Sequence, residues 1–253
     1  MACSSFTAAT LWPYKFVLHF IEKLVAADRI NLQTHTPATA ITPSFDGGFN
    51  VTTNRGTIHA TQVIHANNGY IGGLLLEYEN SIVPCKGICC RITVPEGRVA
   101  PLLNNSYINR TADNVLSYLI PRPDGSIVVG GASQKFRAKL EQWYGNTDDS
   151  VLIDAAKDYY DGYMQRTFRG WEDSGAAIDE IWTGVMGYSY DDLPHIGEVP
   201  GRPGQYVLGG WNGHGMSIAV TWSTTHQLTT TRHACGMALR LRNCSNGCAG
   251  IVV

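Results

Sequence analysis

The run Gly209-Gly210-Trp211-Asn212-Gly213-His214-Gly215-Met216 holds the residues of this sequence best suited to chemistry on a ligand. It follows the apolar Tyr206-Val207-Leu208 and precedes Ser217-Ile218-Ala219-Val220, which can begin a helix. Glycines between a strand and a helix let the main chain approach a flat or anionic ligand closely, because no Cβ intervenes. Free N–H groups at the following helix start favour negative charge there. A plain strand-to-helix turn is the alternative, and the rest of the chain has to decide between them.

A second set is His233, Cys235, Cys244 and Cys248, in which Cys-x3-Cys falls within zinc-site spacings. Against it stands an irregular tail with incidental cysteines, and no metal site is expected. The seven cysteines are odd in number and unevenly spread, which argues against a secreted disulfide framework. A net charge of -2 leaves no footprint for nucleic acid or an anionic membrane surface. No apolar run approaches the roughly 20 residues of a spanning helix. Met1-Ala2-Cys3-Ser4-Ser5 lacks the basic and apolar regions of a signal peptide, so a cytoplasmic location is expected. At 253 residues the chain can bury a sizeable core, as one large domain or two interleaved ones.

The elements that must position these residues follow from periodicity. Leu11 to Ala27 is predicted as an amphipathic scaffold helix with a core face, Pro13 in its first turn and Phe16, Val17, Phe20, Ile21, Leu24 and Val25 at helical spacing. The period then switches to two. Ala38–Thr42 and Phe49–Thr53, joined across Asp46-Gly47-Gly48, predict a hairpin; Asn54-Arg55-Gly56 turns the chain into Thr57-Ile58-His59. Gln62–Ala66 is the next strand and runs into Asn67-Asn68-Gly69-Tyr70. The middle third is β-rich, with strands predicted at Ile82–Pro84, Ile88–Val94, Leu116–Ile120 and Ser126–Gly130, the last two joined by Pro123-Asp124-Gly125. Asp149 to Phe168 is predicted as a second helix, with Ile153, Ala156, Tyr159, Tyr160 and Tyr163 on one side, and Ile178–Gly187 as a further strand. Asp191–Gly197 then connects to the strand before the glycine turn.

Six of these segments, in order, resemble the flavin-dependent amine and amino-acid oxidases related to D-amino-acid oxidase, glycine oxidase and sarcosine oxidase. They are Val63–Tyr70, Val83-Pro84-Cys85-Lys86-Gly87, Tyr118–Gly125 with Gly130-Gly131, Trp182-Thr183-Gly184, Asp192–Gly197 and Gly209–Met216. The resemblance covers about residues 10 to 222 and is nearest to fungal members. It implies an α/β fold in which an incomplete FAD-binding Rossmann-like domain is interleaved with an antiparallel β-sheet substrate domain. The expected divisions are 1–70 for the partial FAD-binding domain, 71–181 for the substrate domain, 182–225 for the return to the FAD-binding domain, and 226–253 for a divergent tail.

The resemblance also assigns residues. Ala38 and Thr39 would meet the adenine, and Ala66, Asn67 and Gly69 would pass the pyrophosphate. Gly184 would lie beside the flavin. Gly210, Asn212, Gly213, His214, Gly215 and Met216 would cradle the ring and ribityl chain, with backbone N–H groups stabilising charge on the ring. The implied reaction is oxidation of an amine or amino-acid CH–NH bond, with hydride transfer to FAD and reoxidation by O2. Candidate substrate-pocket residues are Tyr118, Arg122, Trp182, Met186 and His195, although a turn role for Arg122 and a structural role for His195 are open alternatives. Methionine at 186, where carboxylate-oxidising relatives often carry arginine, speaks against an amino-acid substrate.

The sequence departs from the family pattern at two places. No Gly-x-Gly-x-x-Gly occurs in it, so the first βαβ unit and its diphosphate loop are expected to be absent. After Met216 the threonine-rich Thr221–Thr231 and the cysteine-containing tail do not favour the long helix expected there. A truncated or degenerate gene product would explain both ends. Two rival functions therefore stand beside the oxidase: a non-catalytic remnant that does not retain FAD, and a zinc- or partner-binding module built on the tail.

Overall fold

The computed structural model describes residues 3–216 and 250–252. They fall into two units, named here for their place in the sequence. The flanking unit comprises Leu11–Val83 and Gly187–Val253, and the mid-chain unit comprises Met1–Thr10 and Pro84–Met186. Mixed helix and strand with antiparallel sheets is the α/β class expected from sequence.

In the flanking unit, alternation builds the first sheet. Strands β1 (Ala38–Pro43), β2 (Phe49–Thr53) and β3 (Gly56–Ala60) form an antiparallel meander in that order. Phe49, Val51 and Ala60 point to its buried side and join Val63 in one apolar cluster. The β1–β2 turn needs left-handed backbone at Gly47 and Gly48, with φ of 92° and 79°, which only glycine takes up without strain. A second sheet has the order β10-β11-β4-β12, from β4 (Gln62–His65), β10 (His195–Glu198), β11 (Gln205–Gly209) and β12 (Gly250–Val252). β4 is parallel to both β11 and β12, whereas β10 is antiparallel to β11. Ile71, Leu75, Tyr78, Ile82, Val199 and Val207 form the cluster beneath this sheet.

Helix α1 (Pro13–Ala26) forms where the periodicity places it, with Pro13 in its first turn. Its expected core face is not realised: no residue of α1 is buried, and Phe16, Val17, Phe20 and Val25 are exposed. A helical stripe reports which face is apolar and says nothing of what covers it.

The mid-chain unit is a five-stranded sheet of order β6-β7-β8-β5-β9, from β5 (Ile82–Thr93), β6 (Tyr107–Arg110), β7 (Leu116–Pro121), β8 (Ile127–Gly131) and β9 (Ala177–Ser189). Ile82–Pro84 and Ile88–Val94, read from sequence as separate strands, are one continuous strand. β6, β10 and β12 were not anticipated, the last lying in the stretch expected to be an irregular tail. Ile88, Cys90 and Ile92 of β5, Leu119 of β7, and Ile127 and Val129 of β8 face a core closed by Phe136, Ile153, Tyr160, Tyr163, Met164 and Trp171. Each fully buried large side chain of this set contributes on the order of 1.5–3 kcal/mol.

The predicted helix over Asp149–Phe168 is broken into α4 (Asp154–Lys157), a 3-10 turn at Asp158–Tyr160 and α5 (Tyr163–Thr167). Gly162 sits between the pieces at φ 60°, a left-handed residue that interrupts a right-handed helix. The apolar side survives the break, since Ile153, Ala156, Tyr160 and Tyr163 are all buried. The short helices α2 (Ser133–Phe136) and α3 (Leu140–Trp143) precede them. Buried hydroxyls are satisfied: Tyr160 donates to the carbonyls of Ile88 and Gly131 at 3.1 and 3.3 Å, and Tyr163 meets Ser117 Oγ at 2.8 Å and Asn109 Nδ2 at 2.9 Å.

Candidate functional site

Val63 lies opposite Gln205 and His65 opposite Val207 in the parallel pair β4–β11, so the carboxyl ends of the two strands are neighbours. Open α/β sheets place ligands at such carboxyl ends. Both strands end in residues of little bulk, Ala66-Asn67-Asn68-Gly69 after β4 and Gly209-Gly210 at the end of β11.

Asn68 joins the two ends. It takes φ 47°, a left-handed conformation to which asparagine is suited. Its side-chain Oδ1 accepts the N–H of Gly210 at 3.0 Å and that of Trp211 at 3.4 Å. The surrounding glycines are required by this packing. A Cβ on Gly187 would stand 2.4 Å from Asn68 Oδ1 and 2.9 Å from the Gly69 nitrogen, and one on Gly209 would stand 2.3 Å from Ile71 Cδ1.

Asn212 fixes the other half of the turn. Its N–H donates to the Gly187 carbonyl at 3.0 Å, its Nδ2 donates to Gly210 O at 2.7 Å and Ser189 Oγ at 2.9 Å, and its Oδ1 accepts the Ser189 N–H at 2.8 Å. The side-chain amide is thus engaged inside the protein at both ends. The His214 N–H donates to the Trp211 carbonyl at 2.8 Å. Gly213, His214 and Met216 are exposed, and the Trp211 side chain stands 3.0 Å from where a Cβ on Gly215 would be.

Just before Ala66, His65 is fully buried. Its Nε2 lies 3.0 Å from Gln205 Oε1, and its Nδ1 has no partner among the described residues. Burial lowers its pKa below the usual histidine value, with the Gln205 bond working the other way. The side-chain oxygen of Asn67 is likewise buried without a partner among the described residues. Ala38 and Thr39 belong to the other sheet of this unit, where the β1–β2 register shifts between Ala38 and Ala40 and Thr39 Oγ1 donates to the Thr52 carbonyl at 3.3 Å. His195 Nε2 is 3.3 Å from Asp191 Oδ1, with its ring edge-on to Tyr78 and Tyr190.

The mid-chain sheet has one face in the core and one face outward. The outward face carries the row Ile108, Tyr118, Gly130 and Cys89, on β6, β7, β8 and β5. Tyr118 lies across Gly130, where a Cβ would come within 2.3 Å of its hydroxyl, and that hydroxyl reaches Cys89 Sγ at 3.0 Å. Met186 has its methyl over Gly87 of β5, 3.0 Å from where a Cβ would be. Alternation along β9 then puts Gly184 and Trp182 on the face of Met186, opposite the buried Thr183. Four of the sequence-named residues, Tyr118, Trp182, Gly184 and Met186, thereby share this face. Arg122 stands beyond the end of β7 and pairs with Asp124 at 3.2 Å in the turn it helps to form.

Sequence reasoning gave no site role to Asn68, Gly187, Ser189 or Cys89, and it named Gly130 only within the Gly130-Gly131 motif. Asn68 carries one local signal, an asparagine before glycine at a strand end. The contacts of the others are long-range and leave no trace in their neighbours along the chain. Among the described residues no three His, Cys, Asp or Glu side chains are grouped to hold a metal, and the set His233, Cys235, Cys244 and Cys248 lies outside them. No helix among the described residues is long and apolar enough to cross a membrane.

The model of the FAD dependent oxidoreductase family, DAO, matches residues 2–221. The chain belongs to this family. As a DAO-family member it is similar to the probable oxidoreductase OrdL of Rhizobium meliloti, 24% identical over 208 residues, which are 82% of this chain and 44% of that protein. The chain therefore spans about half the length of the curated relative it matches. In fold it is similar to L-proline dehydrogenase from P. horikoshii, with a TM-score of 0.63 at 18% identity over 90% of this chain and 57% of that one. It is also similar to iminodiacetate oxidase from Chelativorans, with a TM-score of 0.62 at 16% identity over 93% and 58%. Glycine oxidase from Geobacillus kaustophilus gives 0.53 at 24% identity over 72% and 45%.

Proposed function

We propose that this chain binds FAD at the carboxyl ends of β4 and β11 and oxidises an amine or amino-acid CH–NH bond. The observation that carries this is the tether of Asn68 to the Gly210 and Trp211 N–H groups, which sets a glycine-rich turn beside a second small-residue strand end. The flanking unit carries the candidate cofactor residues, and the mid-chain sheet carries the candidate substrate residues Tyr118, Trp182, Gly184 and Met186 on its outward face.

The residues present fit the cofactor in two respects. The turn offers main chain without a Cβ at the exposed Gly213, where a ring carbonyl or a phosphate oxygen can come close. The buried, unpartnered Asn67 oxygen offers an acceptor, suited to a ribose or ribityl hydroxyl. Ala38, Thr39, Ala66 and Gly69 allow close approach of main chain to the adenosine diphosphate portion. Gly210, Asn212, His214 and Met216 complete the turn.

When bound, FAD supplies the two-electron acceptor. With it bound, the substrate would lose a hydride from carbon and a proton from nitrogen, giving an imine that water hydrolyses after release, and O2 would carry both electrons and both protons away as hydrogen peroxide. The protein's part is to orient the amine and exclude water, and the turn needs little reorganisation because Asn68 and Asn212 already brace its main chain. A small amine, O2 and a cytoplasmic setting complete the proposal.

The test is the purified protein mixed with FAD, followed by flavin absorbance after desalting and by peroxide release with a panel of amines. Retained flavin and amine-dependent peroxide support the proposal. The rival remnant, which does not retain FAD, predicts a protein that stays colourless.

A further inference from the structure

We infer that the edge of β4 is a strand-exchange site, at which two copies of this chain join by trading Gly250–Val252. The inference does not depend on the proposed oxidase function.

β4 is paired on both sides. Toward β11 the Val63 N–H donates to the Gly204 carbonyl at 3.0 Å, and the register is Val63↔Gln205, Ile64↔Tyr206 and His65↔Val207. Main-chain groups alternate in direction along a strand, so those of Gln62 and Ile64 face the other way. β12 meets them there, with Gly250↔Gln62, Ile251↔Val63 and Val252↔Ile64. In a parallel ladder this register sets Ile251 between Gln62 and Ile64, as donor to the first carbonyl and acceptor from the second N–H.

The pairing is built to be exchanged. β12 has three residues, fewer than the five or six of an ordinary strand, so few ladder bonds hold it. What it covers is a template. Without it, β4 presents main-chain donors and acceptors beside the fully buried Val63, and a strand of matching register completes such an edge. Met216 and Gly250 are separated by 33 positions. A crossover between parallel strands takes a dozen or more residues, and 33 can span on the order of 100 Å when extended. A second copy offers the same segment in the same register, so it restores each ladder bond that release gives up. The exchange is reciprocal, closes on a twofold dimer and leaves neither β4 edge uncovered.

The experiment sizes the full chain by light scattering across a concentration series, before and after warming and slow cooling, beside Ile251→Pro. Proline has no N–H for the Gln62 carbonyl. Amide exchange at Ile64 reads the β4 edge directly, and the free peptide Ala-Gly-Ile-Val-Val, residues 249–253, serves as competitor. The inference expects a dimer that grows with concentration and keeps the Ile64 amide protected. Ile251→Pro should lower the dimer constant at least about tenfold and speed exchange at Ile64. Excess peptide should lower the parent's dimer and restore Ile64 protection in the proline variant. A parent that stays monomeric at every concentration would overturn the inference. So would a dimer that persists in Ile251→Pro and under excess peptide, which would be joined through another surface such as the exposed stripe of α1.

Discussion

Asn68 accepts the Gly210 N–H through its side chain, and this single amide ties the end of β4 to the turn after β11 across 142 positions of sequence. Asn68→Ala removes the acceptor and places alanine at a positive φ. A loss of about 1–3 kcal/mol in the urea unfolding free energy is expected, together with weakened FAD binding. Asn68→Asp keeps an acceptor at the same place and should retain more of both. An alanine variant as stable as the parent protein would remove the tether from the account.

Gly130 is the only residue that fits beneath Tyr118. Gly130→Ala puts a methyl group 2.3 Å from the Tyr118 hydroxyl and 2.7 Å from Cys89 Sγ. Overpacking of this kind costs about 1–3 kcal/mol. In the double variant Gly130→Ala/Tyr118→Ala the clash is gone, so the two effects should be strongly non-additive in a double-mutant cycle. Additive losses would show that the ring does not lie across β8.

His65 gives the flanking unit an acid-sensitive point. Its folded-state pKa is lowered by burial, and Gln205, Arg202 and Glu77 are the groups that act on it. The unfolded chain therefore binds a proton that the folded chain resists. Stability is full above the unfolded value near 6.5 and falls as pH drops through the lowered folded value. Urea midpoints measured from about pH 8 down to about pH 5 should decline, and His65→Gln should flatten the part of that decline that belongs to this residue. The same slope in both proteins would assign the acid sensitivity elsewhere.

The buried thiols should be inert. Burial pushes Cys85 up to about 11 and Cys90 up to about 12, so neither is thiolate at neutral pH, whereas Cys3 is exposed. Peptide mapping after brief iodoacetamide treatment of the native protein should find Cys3 modified and Cys85 and Cys90 intact. Cys89 is also raised by burial, with Tyr118 opposing, and should react slowly. Tyr118→Phe removes that opposing bond and should slow it further. Rapid labelling of Cys90 without denaturant would contradict the burial on which the mid-chain core rests.

Much of this was legible in the sequence because it is local. Period-two alternation placed β1 to β4, and the apolar side of 149–168 named the residues that enter the core. The ordered glycine and proline motifs placed the turn at Gly209–Met216 within its family. What was illegible depends on partners far along the chain. Nothing near Gly162 announces that it will take φ 60° and end a helix, because glycine is tolerated in helices as well. The α1 stripe predicted burial that the described residues do not supply. Asn212 was read as a cofactor contact, yet its side-chain amide braces Ser189 and its main-chain N–H reaches the Gly187 carbonyl, both more than twenty residues before it.

The central claim is that the turn at Gly209–Met216 and the end of β4 hold FAD. The most direct measurement is the unfolding free energy of the purified chain titrated with FAD, alongside flavin retained after desalting. The account predicts saturable binding, with stability raised by about 2.7 kcal/mol at a hundredfold excess over Kd and a weaker response in Asn68→Ala. A chain that stays colourless, and whose stability does not change at any FAD concentration, would contradict it.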